Sequence, residues 1–191
     1  MLLQVRSQIP LTETGGAHWM DDCGPTSLAM AIGWASKYAV FPTAQEGWAA
    51  AEKSGRKDRA DKPDPTSFAV LIKAAKVFKA KTAYVQSCAG MLKQAHAGAA
   101  IILNIQASLK VIPAHALSVW QNKAFGKAAQ GFSYGHYVVL ARDETGWLYA
   151  CPTMKEGRSG VRLTQPQVDK LALSKGQIVP PAIAVTFSVV K

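Results

Sequence analysis

The stretch MDDCGPTSLAMAIGW, residues 20–34, places a cysteine where an apolar helical pattern begins. From Gly24 onward, apolar residues recur at helical spacing, which predicts a buried helix that runs to about Tyr38. Cys23 stands immediately before this pattern, at the N-terminal edge of the helix. Because unpaired backbone N–H groups and the helix dipole favour a thiolate there, Cys23 is either a nucleophile or a small apolar residue that packs a helix end.

The elements on either side of this helix predict the fold class. Residues 2–9 are predicted to form a short strand that ends at Pro10. Two more helices follow, one opened by the capping box TAQE at 43–46 and one over 64–79 with Asp64 as its N-cap. The second half alternates short helices at 87–98 and 164–173 with strands at 82–86, 99–106, 136–142, 147–151 and 182–190. Helices before strands predict an α+β fold in a single domain, residues 1–191.

Residues 108–135 contain no pattern that we assign to a helix or strand, and so they are predicted to form a long loop. Long loops in compact domains are often lids or binding edges. This segment carries Lys110, Lys123 and Lys127 and no acidic residue. We therefore predict that it forms a positively charged wall of a cleft.

The composition excludes several classes of protein. Because 49% of the residues are hydrophobic, the chain should be globular rather than disordered. No apolar run reaches the roughly 18 residues of a membrane span, and we identify no secretory signal at the N-terminus. Three cysteines are too few for a disulfide scaffold, which favours a reduced compartment. The expected location is the cytoplasm or a virus particle. No metal-ligand spacing is present, so no metal or cofactor is expected.

The net charge of +10 favours an anionic partner. The lysines are dispersed, however, and the sequence contains neither a phosphate-binding glycine loop nor an aromatic–basic RNA-binding pattern. Nucleic acid is therefore not the expected partner.

A thiolate nucleophile needs a proton partner, which is usually a histidine brought near by the fold. The four candidates are His18, His96, His115 and His136. His136 is the best of them because it follows Gly135 and opens the predicted strand HYVVLA, where a rigid element would hold its ring.

Two segments together, DDCGPTSLAMAIGW (21–34) and YGHYVVLARDETGWLYACP (134–152), resemble the papain-like cysteine peptidases of the bacteriocin-processing-peptidase-like, or double-glycine-peptidase-like, group. In that family a Cys-Gly-Pro segment opens the central helix, and a Gly-His-Tyr segment opens a strand of the second half. The resemblance implies a papain-like cysteine peptidase fold. Its N-terminal helical half, with the catalytic cysteine at a helix start, would pack on an antiparallel sheet that carries the histidine.

The resemblance also implies residue roles. Cys23 would attack a carbonyl carbon, and His136 would take its proton and later protonate the leaving group. Gln8, in the segment LQVRSQIP, would donate its side-chain amide to the oxyanion, and Gln4 of the same segment is the alternative donor. Trp19 and Trp120, which lie near Cys23 and His136 in the chain order, are predicted to flank the substrate cleft. The proposed chemistry needs no cofactor.

One position departs from the family pattern. The family usually ends the strand after the histidine with Asp-Pro, and that aspartate orients the histidine. Here Cys151 precedes Pro152, and a thiol is a weak hydrogen-bond partner. The candidates for a third member are Cys151 itself, Asp143, Asn104 or a backbone carbonyl.

Three functions remain open from the sequence. The protein is a cysteine peptidase acting on a peptide or isopeptide bond, an amidase of the same fold acting on cell-wall peptides, or a catalytically weakened domain. In the third case it would serve as a structural or binding component of a larger assembly such as a phage particle. The corresponding partners are a peptide or protein substrate, a peptidoglycan peptide, or the subunits of a particle.

Overall fold

A computed structural model describes residues 1–9, 22–57, 66–127 and 133–187. In these ranges the first half is helical. The predicted helix at Cys23 is confirmed as α1, and almost all of its side chains are buried, as expected for a helix whose apolar residues lie on every side. The bounds in this half are α1 Cys23–Ala35, α2 Ala44–Lys53 and α3 Phe68–Val77.

The N-terminal caps of α2 and α3 show one confirmed prediction and one that is wrong. The capping box at Thr43 and Glu46 is present, with each side chain bonded to the other residue's backbone N–H. Helix α3, however, begins at Phe68, and its cap is Ser67, whose hydroxyl accepts from the N–H of Val70. The predicted start at Asp64 is therefore incorrect, and residues 58–65 lie outside the described part of the chain.

The described strands form one antiparallel sheet in the order β1-β6-β2-β3-β4-β5. The predicted hairpin is confirmed as β3 and β4, and Ser87 caps α4 as its position before the helix suggests. The bounds are β1 Ala80–Val85, α4 Cys88–His96, β2 Ala100–Ala107, β3 Tyr134–Asp143, β4 Gly146–Ala150, β5 Val161–Leu163, α6 Gln165–Ala172 and β6 Ala182–Phe187. Mixed helices with an antiparallel sheet confirm the α+β prediction.

Two segments differ from their predictions. The predicted strand at residues 2–9 is reduced to an isolated bridge between Gln4 and Ser159, because its backbone partners belong to the irregular segment 152–160 rather than to a strand. The predicted loop 108–135 contains a 3-10 helix, Ala114–Ala116, and the helix α5, Val119–Lys127. Residues 128–132 of that segment are not among the residues that the structure describes.

Helix α5 has a local cause that the sequence already contains. The hydroxyl of Ser118 accepts from the N–H of Gln121, and the side-chain oxygen of Gln121 accepts from the N–H of Ser118. This reciprocal pair is a capping box with glutamine at its fourth position. Across the described ranges, no helix is long and apolar enough to cross a membrane.

Candidate active site

His136 and Cys151 are brought together by the register of the hairpin. Val139 of β3 pairs with Ala150 of β4, so the residue after β4 lies beside the beginning of β3. Nε2 of His136 is 3.1 Å from Sγ of Cys151. The exposed fraction of His136 is 2%, and Cys151 is completely buried. Cys151, at the position where the sequence resemblance leads us to expect an aspartate, thus lies within hydrogen-bond distance of the His136 ring.

A chain of hydrogen bonds continues from Cys151 to α5. Sγ of Cys151 lies 2.9 Å from Oγ1 of Thr153, which lies 2.8 Å from Oγ of Ser118. Ser118 is the capping residue of α5, as described above. These buried hydrogen bonds therefore link the His136 ring to α5, a helix in the segment that the sequence predicted to be a loop. The capping-box spacing of Ser118 and Gln121 could have located Ser118 in the sequence, whereas Thr153 carries no such motif.

Both members of the His136–Cys151 pair are uncharged near neutral pH. Burial lowers the pKa of His136 to about 3, because the imidazolium would lose its hydration. Burial likewise raises the pKa of the Cys151 thiol. The contact between them is a hydrogen bond between neutral groups, so it orients the ring without supplying the negative charge that would stabilise an imidazolium.

Asp143 does not serve as the third member. Its carboxylate receives two hydrogen bonds from Arg162, at 2.6 and 2.7 Å, and these hold the pKa of Asp143 well below its usual range. Asp143 ends β3, whereas His136 lies near its beginning. At about 3.3 Å per residue, their separation along the strand is roughly 23 Å. The prediction that Asp143 orients His136 is wrong because the two residues lie at opposite ends of β3.

Cys23 is the first residue of α1 and is half-buried. The preceding residue, Asp22, pairs with the buried guanidinium of Arg56 at 2.7 Å. The following residue, Gly24, lies against β3: a Cβ there would stand 3.0 Å from Cβ of Thr66 and 3.4 Å from a ring carbon of Tyr137. The close approach explains why glycine follows the cysteine, and it places the start of α1 beside the neighbour of His136.

The structure gives the His136 ring a hydrogen bond with Cys151 and, in the described part of the chain, none with Cys23. Catalytic hydrogen bonds are often long in a free enzyme and tighten when substrate binds. The predicted Cys23–His136 pair therefore stays a prediction, supported by the packing of α1 on β3.

Gln8 is bonded through its backbone to the residue that follows Cys151. Its side chain is buried, and its backbone N–H donates to the carbonyl of Pro152 at 2.8 Å. It is thus fixed next to Cys151, the residue behind His136. Its role as an oxyanion donor remains a prediction.

Aromatic side chains extend from the histidine towards α5. The ring of Tyr134 is edge-on to that of His136 at 5.2 Å, and Trp120 is edge-on to Tyr134 at 5.4 Å. Gln121 donates to the hydroxyl of Tyr134 at 2.9 Å, which fixes the middle ring. Trp120 is half-buried, as a cleft wall would be. Trp19, the other predicted wall residue, lies outside the described residues.

Lys175, which sequence analysis did not single out, also approaches the site. It follows α6 and is half-buried. A Cβ on Gly135, the residue before His136, would lie 3.8 Å from Nζ of Lys175. Burial lowers the pKa of Lys175, while an electrostatic interaction with Cys23 opposes that shift. The described ranges contain no cluster of three His, Cys, Asp or Glu side chains that would bind a metal.

No protein-family model matches the sequence, and comparison with curated proteins finds no match. The structure is similar to the crystal structure of a proposed C39-like peptidase from Bacillus anthracis. The TM-score is 0.55 at 14% identity, and the similarity covers 97% of this chain and 95% of the other. The chain therefore has the fold of a C39-like peptidase over almost its whole length. At this identity the likeness concerns the fold, which agrees with the family resemblance of the sequence.

Proposed function

We propose that this protein is a cysteine peptidase that hydrolyses a peptide or isopeptide bond with Cys23 as nucleophile. The observation that carries the proposal is the placement of His136: its Nε2 is held by Cys151 from the neighbouring strand, while the adjacent Tyr137 packs against the start of the cysteine helix. This is the arrangement that a cysteine–histidine hydrolase needs, with a nucleophile at a helix N-terminus and a histidine oriented from behind.

In the proposed reaction, Sγ of Cys23 attacks the carbonyl carbon as its proton passes to His136. The oxyanion would be stabilised by the amide of Gln8 and by the backbone N–H of Cys23, and one such donor contributes about 3 kcal/mol. His136 then gives the proton to the leaving amine, and water hydrolyses the thioester. Because burial disfavours the imidazolium, the charged ring would exist only transiently during acylation.

A second candidate function has an observation in its favour. The uncharged thiol of Cys151 behind His136 leaves the histidine a weak base, as expected for a papain-like domain that has lost its chemistry. Such a domain would act as a binding or structural component, for example of a phage particle. A cell-wall peptide amidase uses the same residues as the peptidase and differs in substrate.

Mass spectrometry after incubation with a peptidyl vinyl sulfone tests the proposed nucleophile. Cys88 provides a matched control because it is also the first residue of a helix, α4, and is also half-buried. We expect a single adduct on Cys23 that is lost in Cys23→Ser and retained in Cys88→Ser. Equal labelling of both thiols, or none, would refute a dedicated nucleophile and favour the binding component.

The substrate class requires a separate assay with the wild-type protein and Cys23→Ser. Release of amines from a mixed peptide library supports the peptidase, whereas release of peptides from purified peptidoglycan alone supports the amidase. Hydrolysis that persists in Cys23→Ser would contradict both assignments.

A further inference from the structure

The neutral ring of His136 carries one N–H, and the nitrogen that bears this hydrogen decides whether the ring can act as a base. Burial lowers the pKa of His136 to about 3, so only one of the two ring nitrogens is protonated near pH 7. Nε2 lies 3.1 Å from Sγ of Cys151, which leaves Nδ1 to take the proton of Cys23. Because Nδ1 accepts a proton only when the ring hydrogen is on Nε2, His136 needs a hydrogen-bond acceptor at Nε2.

The thiol of Cys151 is able to be either the donor or the acceptor in this contact. It has a single hydrogen, which can point in one direction only. If the S–H points at Nε2, the ring hydrogen is on Nδ1, and the ring cannot take a proton from Cys23. If the S–H points elsewhere, a lone pair of Sγ accepts from Nε2–H. The tautomer that catalysis needs therefore requires a second acceptor for the thiol hydrogen.

The hydroxyl of Thr153 is positioned to be that acceptor. Its Oγ1 lies 2.9 Å from Sγ of Cys151 and 2.8 Å from Oγ of Ser118. The Ser118 hydroxyl accepts from the N–H of Gln121 and has a second lone pair that can accept from the hydroxyl of Thr153. The hydrogens can thus all point the same way, from Nε2 of His136 through Sγ and Oγ1 to Ser118.

The other polar groups beside Sγ do not offer the same acceptor. The backbone N–H of Thr153 points at the sulfur from 3.5 Å, and an N–H can only donate. Tyr149 also interacts with Cys151, but its buried hydroxyl has no hydrogen-bond partner among the residues that the structure describes. Thr153 and Cys151 are both buried, so the bond between them is shielded from solvent.

We propose that Thr153 is a positioning residue: by accepting the S–H of Cys151, its hydroxyl keeps the ring hydrogen of His136 on Nε2 and leaves Nδ1 as the base. During acylation the proton of Cys23 would pass to Nδ1, while Nε2–H stays bonded to Sγ. Nδ1 then gives that proton to the leaving amine, which restores the neutral tautomer. The proposal deepens the proposed function and rests on His136 being the base of the site.

The test is the tautomer of His136 in the full chain near pH 7, read from the nitrogen NMR shifts of its ring without any substrate. The His136 signals are assigned by their loss in His136→Gln. The variants are Thr153→Val, which keeps the shape of the side chain without its hydroxyl, and Thr153→Ser, which keeps the hydroxyl. Thr66→Val is the matched control, because Thr66 is also buried and its hydroxyl has no hydrogen-bond partner among the described residues.

In the wild type we expect the ring hydrogen on Nε2. Thr153→Val should change the ratio of the two tautomers about tenfold in favour of Nδ1–H, since it removes one buried hydrogen bond that favours Nε2–H. Thr153→Ser and Thr66→Val should keep the wild-type tautomer, and so should Tyr149→Phe. A wild-type ring with its hydrogen on Nδ1, or the same ratio in Thr153→Val and the wild type, would overturn the proposal. An equally large change in Thr66→Val or Tyr149→Phe would overturn it as well.

Peptide hydrolysis provides a second measurement and distinguishes failure of this proposal from failure of the proposed function. Thr153→Val should lower kcat about tenfold and leave KM unchanged, because the tautomer ratio affects the proton transfer and not substrate binding. A tautomer that depends on Thr153, in a protein that hydrolyses no peptide, would support the role of Thr153 and refute the peptidase. Hydrolysis that needs Cys23 but is as fast in Thr153→Val as in the wild type would support the peptidase and refute the role of Thr153. Circular dichroism shows whether each variant is folded, and Thr153→Ala is a second variant without the hydroxyl if Thr153→Val unfolds.

Discussion

Replacing Cys151 with aspartate would put a carboxylate behind His136, where Sγ of Cys151 now lies 3.1 Å from Nε2. The site can accept this change because the hydroxyl of Thr153 is 2.9 Å from Sγ and the N–H of Thr153 points at the same sulfur from 3.5 Å. Both groups can donate to a carboxylate. The substitution therefore converts a neutral hydrogen bond into a charge-assisted one.

The size of the effect follows from the distance. Two unit charges separated by 3.1 Å attract each other by about 5 kcal/mol at an effective dielectric constant of about 20, which corresponds to about 4 pKa units. Burying the carboxylate offsets part of this attraction, and we take about half as the net effect. The pKa of His136 should then rise from about 3 to about 5. A stronger base should increase the kcat/KM for a peptide about tenfold.

The pKa of His136 can be measured from the ring protons by NMR titration, and kcat/KM can be measured with the same samples. Cys151→Ser is the control because it keeps a neutral hydrogen-bonding group of similar size at the same position. It should leave the pKa of His136 close to that of the wild type. A carboxylate at residue 151 that left this pKa unchanged would refute the inference that the neutral thiol and burial together make His136 a weak base.

Two further predictions concern stability. Because burial lowers the pKa of His136 to about 3, the unfolded chain binds a proton below about pH 6.5 that the folded chain does not bind, so stability is lost as the pH falls between these values. As the pH falls through this range, the free energy of unfolding measured in urea melts should decrease more steeply in the wild type than in His136→Gln, by about 1.4 kcal/mol for each pH unit. Equal slopes in the two proteins would contradict the burial argument. Arg56→Met should cost about 2 kcal/mol because it removes the ion pair between a buried guanidinium and Asp22 at the start of α1. Arg162→Met, which breaks the more exposed pair with Asp143, should cost clearly less, and the reverse order of the two losses would be inconsistent with the burial of Arg56.

The elements that sequence analysis predicted correctly carry strong local patterns. The helix at Cys23 has continuous apolar spacing, and the hairpin has two apolar strands around a turn with Gly146. The errors occur where local signals compete or go unnoticed. Asp64 and Ser67 are both good N-caps, and local preference cannot choose between them. The capping box of Ser118 and Gln121 was present in the sequence, but it lay in a segment without clear apolar periodicity.

Residue types and their spacing along the chain were enough to predict that a cysteine begins a buried helix and that a histidine lies near the start of a strand. The surroundings of these two residues depend on how distant segments of the chain pack in the fold. Cys151 reaches His136 through strand register, and Lys175 reaches the site because the segment after α6 is bonded to the sheet edge. The pKa of His136 could not be predicted from the sequence either, because the desolvation that lowers it depends on which residues the fold packs around the ring.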